Sequence, residues 1–174
     1  MRILTDSKCT KMMLDFKQLI ETYQEPLYWH LRRLVVTHED ARDLLQETFI
    51  RAWQKFDTLQ KEEAARAWLY KIATHIAYRH LNRNRIKPLS TEEMSQLLLG
   101  RLKSSTYVDY EEEGLVRFQQ ALLTLSEQQR TVFTLRYYDE MSYEEIARII
   151  DSTPQSCRAA YHHATQRIEA YLTR

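Results

Sequence analysis

A shortage of glycine and proline constrains the fold of this chain more than any other feature. Its 174 residues include two Gly and three Pro, whereas average composition would supply about twelve Gly at this length. Sheets and barrels need turn residues about every 8–12 positions. Glycine-rich phosphate loops are excluded too, because neither Gly100 nor Gly114 has a second glycine nearby. The sequence therefore predicts an all-α protein.

Composition excludes several further classes of protein. Hydrophobic residues make up 44% of the chain, enough for packed cores. Mean hydropathy is −0.57, and no apolar run approaches the roughly 18 residues of a membrane span. Residues 1–13 lack the long apolar stretch of a secretory signal. Cys9 and Cys157 form no metal-ligand spacing and suit a reducing compartment. We therefore expect a cytoplasmic protein with no membrane span, no metal and no cofactor.

Apolar residues recur three or four positions apart in seven segments, as in amphipathic helices. The first three segments cover residues 14–35, 37–56 and 63–86 and predict a first lobe. Pro26 is a candidate kink in the first helix, and Thr37 is a candidate N-cap of the second. The predicted core-facing residues of the second helix are Ala41, Leu44, Leu45, Thr48, Phe49, Ala52, Trp53 and Phe56.

Four further helices predict a second lobe from about residue 115 to 172. Ser126 with Gln129, and Ser142 with Glu145, have the spacing of capping boxes that begin a helix. Pro154 has the position of a first-turn proline in the last helix. Residues 88–114 are acidic and contain both glycines, so they predict a flexible linker with one short helix after Ser90. The predicted fold is thus two small helical domains joined by an acidic linker.

Charge is segregated along the chain although the net charge is only +1. Between residues 64 and 87 there are six Lys or Arg and no Asp or Glu. Lys71, His75, Arg79 and Asn82 share one helix face, which suits a nucleic-acid backbone. Two aromatic residues are interleaved with them, Tyr70 and Tyr78. A solvated outer face is the alternative.

The other polar faces point to different partners. On the second helix, Asp43, Gln46 and Glu47 lie opposite the apolar stripe and could face a protein partner, although such faces are usually only solvated. The break at 151–153 between two short helices is a candidate helix-turn-helix, whose second helix would enter the major groove. An ordinary helical hairpin is the alternative there.

Three segments resemble a known family of bacterial proteins. Residues 40–53 (DARDLLQETFIRAW) resemble the helix by which sigma factors bind RNA polymerase, and residues 67–73 (AWLYKIA) resemble the start of their promoter-melting helix. Residues 121–133 (ALLTLSEQQRTVF) and 142–147 (SYEEIA) resemble their carboxy-terminal DNA-binding domain. Over residues 14–86 and 115–172, the order and spacing are similar to the extracytoplasmic-function (ECF) group of the sigma-70 superfamily.

The resemblance implies a promoter-specificity subunit, with core RNA polymerase and promoter DNA as partners and an anti-sigma factor as a further class of partner. It implies an extension over 1–13, a region 2 domain over 14–87, a linker over 88–114 and a region 4 domain over 115–174. The core-polymerase-binding residues would be Asp40, Asp43, Gln46, Glu47 and Arg51. The minus-ten residues would be Thr58, Gln60, Lys61, Arg66, Lys71, His75, Arg79, Asn82 and Arg83. The minus-thirty-five residues would be Gln155, Ser156, Arg158, Ala159, His162 and His163.

Several positions depart from the family pattern, including His163 at a common Arg. His75 and Arg79 stand where the family commonly has Asn and Asp, Asp151 stands at the usual Gly of the helix-turn-helix, and Ala160 replaces a common Arg. Two other functions stay open on the residues alone. A dimeric helix-turn-helix regulator would give the acidic face of the second helix no role, and an enzyme would need a catalytic set of residues that the sequence does not offer.

Overall fold

The computed structural model describes residues 6–35, 37–59, 61–84 and 113–173. Every regular element within these ranges is a helix, which confirms the all-α prediction. The helices are α1 Asp6–Leu34, α2 His38–Gln54, α3 Ala65–Asn84, α4 Glu113–Leu123, α5 Glu127–Tyr137, α6 Tyr143–Ile149 and α7 Pro154–Leu172. Two short 3₁₀ turns, Phe56–Thr58 and Glu62–Ala64, lie between α2 and α3. The predicted linker falls almost entirely outside the described residues, as does its short helix after Ser90.

Local capping chemistry fixes where four of these helices begin. The Thr37 hydroxyl caps α2, and both predicted capping boxes, at Ser126 and Ser142, are formed with reciprocal hydrogen bonds. Thr153 caps α7 directly before Pro154, a cap that the sequence analysis did not predict. Each cap satisfies backbone N–H groups that the first turn of a helix leaves without a carbonyl partner.

The first lobe (α1–α3) buries the stripes that the helical spacing predicts. Leu27 and Leu31 of α1 pack with Leu44 of α2 and Leu69 of α3 in a closed core. Pro26 lies inside α1 without ending it. Trp53 corrects the prediction, because 41% of this residue stays exposed. It lies in the last turn of α2, where its ring meets Phe16 edge-on with centroids 5.0 Å apart.

The second lobe (α4–α7) is organised around α7. This helix packs against α4, α5 and α6, and its residues Ala164 and Ile168 join Leu122, Leu125 and Phe133 in a small apolar cluster. The turn between α6 and α7 includes Asp151, with φ of 52°, and Thr153. The left-handed region favours glycine and tolerates Asp and Asn. A helix-turn-helix therefore forms with an aspartate at its turn.

The two lobes pack directly against each other. Helix α1 contacts α5, and α3 contacts α6. Val132, Leu135, Met141 and Ile146 of the second lobe belong to the same buried apolar cluster as the core of the first. We call this contact the seam: α1 and α3 on one side, and α5, the turn at 138–142 and α6 on the other.

The seam gives α3 a second buried face. Tyr70, Thr74 and Ala77 are buried on the side of α3 that carries Tyr78, in addition to Leu69, Ala73 and Ile76. The prediction that Tyr70 belongs to an exposed basic face is therefore wrong: it is 1% exposed, and burial raises the pKa of its phenol. Tyr78 donates to Thr131 Oγ1 across the seam at 2.8 Å, and burial raises the pKa of Tyr78 to about 12.

Candidate nucleic-acid interface

The first three turns of α7 present one continuous exposed face. Its buried side consists of Cys157, Ala164 and Ile168. Positions three and four apart share a helix face, so the predicted minus-thirty-five residues lie together on the opposite side. All six are exposed: Gln155, Ser156, Arg158, Ala159, His162 and His163. Amide, hydroxyl, guanidinium and imidazole groups on a recognition helix can reach base edges and phosphates of duplex DNA.

Tyr143, which the sequence analysis missed, orients the largest cation of this face. The Arg158 guanidinium lies 5.3 Å from the centroid of the Tyr143 ring. Arg136 lies 5.1 Å from the same ring, but its guanidinium also donates to the Met141 carbonyl at 2.9 Å. Arg158 is thus held beside the ring at the start of α6. No local pattern indicates this contact, because Tyr143 and Arg158 lie 15 positions apart.

The predicted residues of the basic face of α3 lie side by side in the structure, and carboxylates from other parts of the chain already pair with them. Lys71 Nζ lies 2.5 Å from one oxygen of Asp151, and His75 Nε2 lies 3.5 Å from the other. Arg79 lies 3.5 Å from Glu47 of α2. The hydrogen bond from Lys71 holds the pKa of Asp151 below its usual range. The face therefore binds anionic oxygen groups in this structure.

The remaining minus-ten candidates lie at the two ends of α3. Asn82 and Arg83 are exposed in its last turn. Thr58 and Lys61 are exposed in the segment before it, where the Thr58 hydroxyl donates to the Lys55 carbonyl at 2.6 Å. Gln60 lies outside the described residues. The segment before α3 is thus an exposed patch separate from the basic face of α3.

Arg66 and Tyr70 contact Asp139, a residue of the seam that the sequence analysis did not single out. The Tyr70 hydroxyl donates to Asp139 Oδ1 at 3.0 Å, and Arg66 donates to the Asp139 backbone carbonyl. His30 Nδ1 lies 3.5 Å from Asp139 Oδ2, while its Nε2 lies 3.0 Å from the Thr74 hydroxyl. Nothing in the local sequence around Asp139 marks these partners, which lie 69 and more positions away.

The predicted polymerase-binding face of α2 combines charged and apolar side chains. Asp43 and Gln46 are exposed. Ile50 is 51% exposed and falls on the same face as Trp53. Glu47 pairs with Arg51 at 2.8 Å.

Asp40 is the exception among the acids of α2. Its Oδ1 lies 3.5 Å from His80 Nε2 of α3, so this carboxylate faces the neighbouring helix.

Two other kinds of site receive no support within the described part of the chain. No group of three or more His, Cys, Asp or Glu is placed there to hold a metal ion. None of the helices in those ranges is long and apolar enough to cross a membrane.

Comparison with known proteins adds independent information on both lobes. The family model for sigma-70 region 2 matches residues 19–86, and that for sigma-70 region 4 matches residues 115–168. RNA polymerase sigma factor YlaC of Bacillus subtilis is 32% identical over 163 residues, covering 87% of this chain and 88% of that protein. ECF RNA polymerase sigma factor SigW of the same organism is 26% identical over 167 residues, covering 90% of this chain and 88% of that protein.

Solved structures agree with these relatives. Sigma factor RpoE of Bartonella quintana, in complex with the anti-sigma factor NepR, superposes with a TM-score of 0.72 at 26% identity. The match covers 91% of this chain and 97% of that one. CnrH in complex with the cytosolic domain of CnrY has a TM-score of 0.66 at 22% identity, a likeness of fold alone. With both family models matched in order and a relative at 32% identity along most of its length, the chain belongs to the ECF group of the sigma-70 family and is an RNA polymerase sigma factor.

Proposed function

We propose that three exposed helix faces divide the work of promoter recognition. The α2 face would bind core RNA polymerase, the α3 face with the turn before it would hold the minus-ten element, and the α7 face would read the minus-thirty-five element. As domains, residues 14–87 would bind core polymerase and melt the minus-ten element, and residues 115–174 would bind the upstream duplex. The protein would act in the cytoplasm as a binding subunit without catalytic residues or a cofactor.

The α2 face carries this proposal. Asp43 and Gln46 are exposed, and on the same side of the helix Ile50 and Trp53 remain 51% and 41% exposed. Apolar side chains ringed by polar groups are typical of protein interfaces. A surface of this kind fits a protein partner better than DNA, since carboxylates repel phosphates. Core RNA polymerase is the protein partner that the family assignment supplies.

The α3 and α7 faces fit opposite forms of DNA. The α3 face offers cations and an imidazole along one side, as backbone binding of an opened strand requires. Unstacking a base pair takes a few kcal/mol per step, which capture of the exposed strand beside α3 and the turn at 57–63 would offset. The α7 face belongs to a helix-turn-helix, which suits intact duplex.

Charge reversal of Asp43 tests the α2 assignment. The Asp43→Lys variant should bind core polymerase about tenfold more weakly or worse, because like charges brought together at an interface cost several kcal/mol. Asp43 is the right target because its carboxylate makes no ion pair with any described residue, whereas Glu47 pairs with two arginines. The measurement is the dissociation constant for purified core polymerase.

Glu25→Lys is the matched control. Glu25 is exposed on α1, and its reversal changes the net charge by the same amount. The control should bind core polymerase like the unmodified protein, and both variants should keep its circular dichroism and melting temperature. Equal affinity of the two variants would contradict the α2 assignment. Run-off transcription on genomic fragments would then report whether promoter selection survives.

An anti-sigma factor is the further partner that we propose for this chain. RpoE of Bartonella quintana, 26% identical to it, was solved with such a partner, NepR. The α2 face and the seam are the surfaces that an inhibitor would have to cover or hold in order to prevent binding to polymerase. Competition between a purified candidate inhibitor and core polymerase would measure this directly.

A further inference from the structure

Two carboxylates of the second lobe contact the polar and cationic groups that line α3. Asp151, in the helix-turn-helix turn, meets Lys71 at 2.5 Å and His75 at 3.5 Å. Asp139, in the turn between α5 and α6, accepts from Tyr70 at 3.0 Å and, through its backbone carbonyl, from Arg66. The contacts span Arg66 to His75, a stretch of α3 about 14 Å long at 1.5 Å per residue.

The Asp151 carboxylate makes the contacts that a DNA phosphate would make. Carboxylate and phosphate oxygens both accept charge-assisted hydrogen bonds from Lys and protonated His. The Lys71 and His75 side chains are directed at two different oxygens of one Asp151 carboxylate. An anion and its mimic cannot occupy the same donors together. The seam therefore competes with any strand that would bind this part of α3.

The Asp151 contact joins two residues that depart from the family pattern. His75 and Asp151 both stand where the family commonly has another residue, and in the structure they are 3.5 Å apart. An uncharged glycine at position 151 would offer Lys71 and His75 no anionic partner. Two departures from a pattern that meet across a domain contact point to one function for both.

The Asp139 contact is more deeply buried. Its side chain is 7% exposed and that of His30 is 0% exposed. A buried charge is retained only where partners replace water, and the Tyr70 hydroxyl is such a partner here. Around it, the Arg33 guanidinium lies 3.9 Å from the centre of the Tyr138 ring, and Arg130 donates to the Leu34 carbonyl at 3.1 Å. The seam thus has a buried anchor at Asp139 and an exposed ionic clasp at Asp151.

We propose that Asp151 occupies Lys71 and His75 of α3 as a stand-in for a DNA phosphate, with Asp139 as the buried anchor of the seam, so that the protein outside the polymerase complex masks its own minus-ten face. Because only open molecules bind DNA, the apparent dissociation constant equals the intrinsic constant divided by the fraction of molecules that are open. Separation of the lobes exposes Lys71 and His75 and also lets α7 reach a separate site. This inference rests on the proposed DNA-binding role of α3.

Asp151→Asn in the full-length chain tests the clasp. Asparagine tolerates the left-handed backbone of position 151, so the turn should persist while the charge is lost. Glu169→Gln is the control: Glu169 is exposed on α7, makes no ion pair with any described residue, and its neutralisation changes the net charge equally. Asp139→Asn is a second variant, checked by its melting temperature, that removes the charge of the anchor.

Two measurements without polymerase report the result. Small-angle X-ray scattering gives the radius of gyration, which should increase for the double variant Asp139→Asn/Asp151→Asn but not for Glu169→Gln. Asp151→Asn alone should change it little, because the apolar residues of the seam still hold the lobes together. Fluorescence anisotropy gives the affinity for a labelled single strand of roughly twelve thymidines. That affinity should rise about two- to fivefold for Asp151→Asn over the control, the range of an exposed ion pair. The double variant should gain more.

Lys71→Gln, introduced into the Asp151→Asn background where the clasp is already absent, separates the two possible failures. If it does not weaken binding of the thymidine strand, α3 is not a DNA-binding face and the proposed function of that face fails. If Lys71→Gln weakens binding in that background but Asp151→Asn binds the strand no better than Glu169→Gln, the DNA-binding role stands and the masking proposal is overturned.

Discussion

Tyr143 is expected to control upstream promoter binding through Arg158. The ring centroid lies 5.3 Å from the Arg158 guanidinium, within the range of a cation–π contact. Arg158 is exposed at the amino-terminal end of α7 and has several free rotatable bonds. A ring beside it restricts the positions that the guanidinium samples before DNA arrives. Tyr143→Leu removes the ring and keeps an apolar side chain, so it should leave Arg158 present but less well placed.

The size of the effect follows from the exposure of this contact. A cation–π pair at an exposed site contributes about 0.5–1 kcal/mol, which corresponds to an affinity ratio of about two to five. Loss of Arg158 itself, in Arg158→Ala, should remove about 1–3 kcal/mol if the guanidinium makes a bidentate base contact. Tyr143→Leu should therefore weaken binding clearly less than Arg158→Ala does.

The assay needs the complete polymerase complex. Promoter fragments are first selected by run-off transcription with the unmodified protein, and each variant is then titrated on a selected promoter and on the same promoter with its upstream element scrambled. Tyr143→Phe is the matched control, because it keeps the ring and removes only the hydroxyl. It should bind like the unmodified protein, while Tyr143→Leu should lose affinity only where the upstream element is intact.

A double-mutant cycle decides whether the effect passes through Arg158. In the Arg158→Ala background, Tyr143→Leu should have almost no further effect on affinity, since the guanidinium that the ring positions is absent. Equal losses from Tyr143→Leu in both backgrounds would refute the reasoning. They would mean that the ring acts through general packing, for example its edge contact with Tyr161 at 6.3 Å.

The capping box of α6 predicts a pH-dependent stability. Hydrogen bonds from Ser142 hold the pKa of Glu145 below its usual range, so the ionised carboxylate stabilises the fold at neutral pH. That contribution is lost as the pH falls through the lowered pKa. Ser142→Ala should reduce the free energy of unfolding by about 1 kcal/mol, and Glu145→Gln should keep a capping group but flatten the dependence on pH in chemical denaturation between neutral and acidic buffers. In the segment before α3, exchange of residues 57–63 for the equivalent loop of a relative should change base preference at one minus-ten position, measured on a randomised minus-ten library. Unchanged preference with two active proteins would exclude this loop as the reader.

Local features of the fold could be predicted because their chemistry lies within a few residues of sequence. Ser126 and Gln129 form their capping box with each other, three positions apart. The buried stripes of α1 and α2 follow from helical spacing in the same way, and the exposed face of α7 is what remains after Cys157 and Ala164 turn inward. For such features, pattern and structure agree because no distant part of the chain takes part.

The seam could not be predicted because its contacts join residues far apart in sequence. Tyr70 stands among basic residues and so suggested an exposed aromatic side chain, yet its partner Asp139 is 69 positions away. Trp53 shows the opposite error, since its spacing places it in the core stripe of α2 but 41% of the residue stays exposed. Helical periodicity identifies which side chains share a face and leaves open what covers that face.

Asp151 is difficult to explain from its own lobe. Its φ of 52° lies in the region that glycine enters freely, and a residue with a Cβ atom pays about 1–2 kcal/mol there. Its ion pair with Lys71 is surface-exposed, at 61% and 39% side-chain exposure, and such pairs contribute about 0–1 kcal/mol. Stability alone therefore gives little reason to replace glycine. The replacement is consistent with a residue that acts between the lobes, where a weak contact is an advantage. A contact of modest strength can occupy Lys71 and His75 while the protein is free. It can then be displaced when DNA, with several phosphates in place of one carboxylate, competes for the same cations.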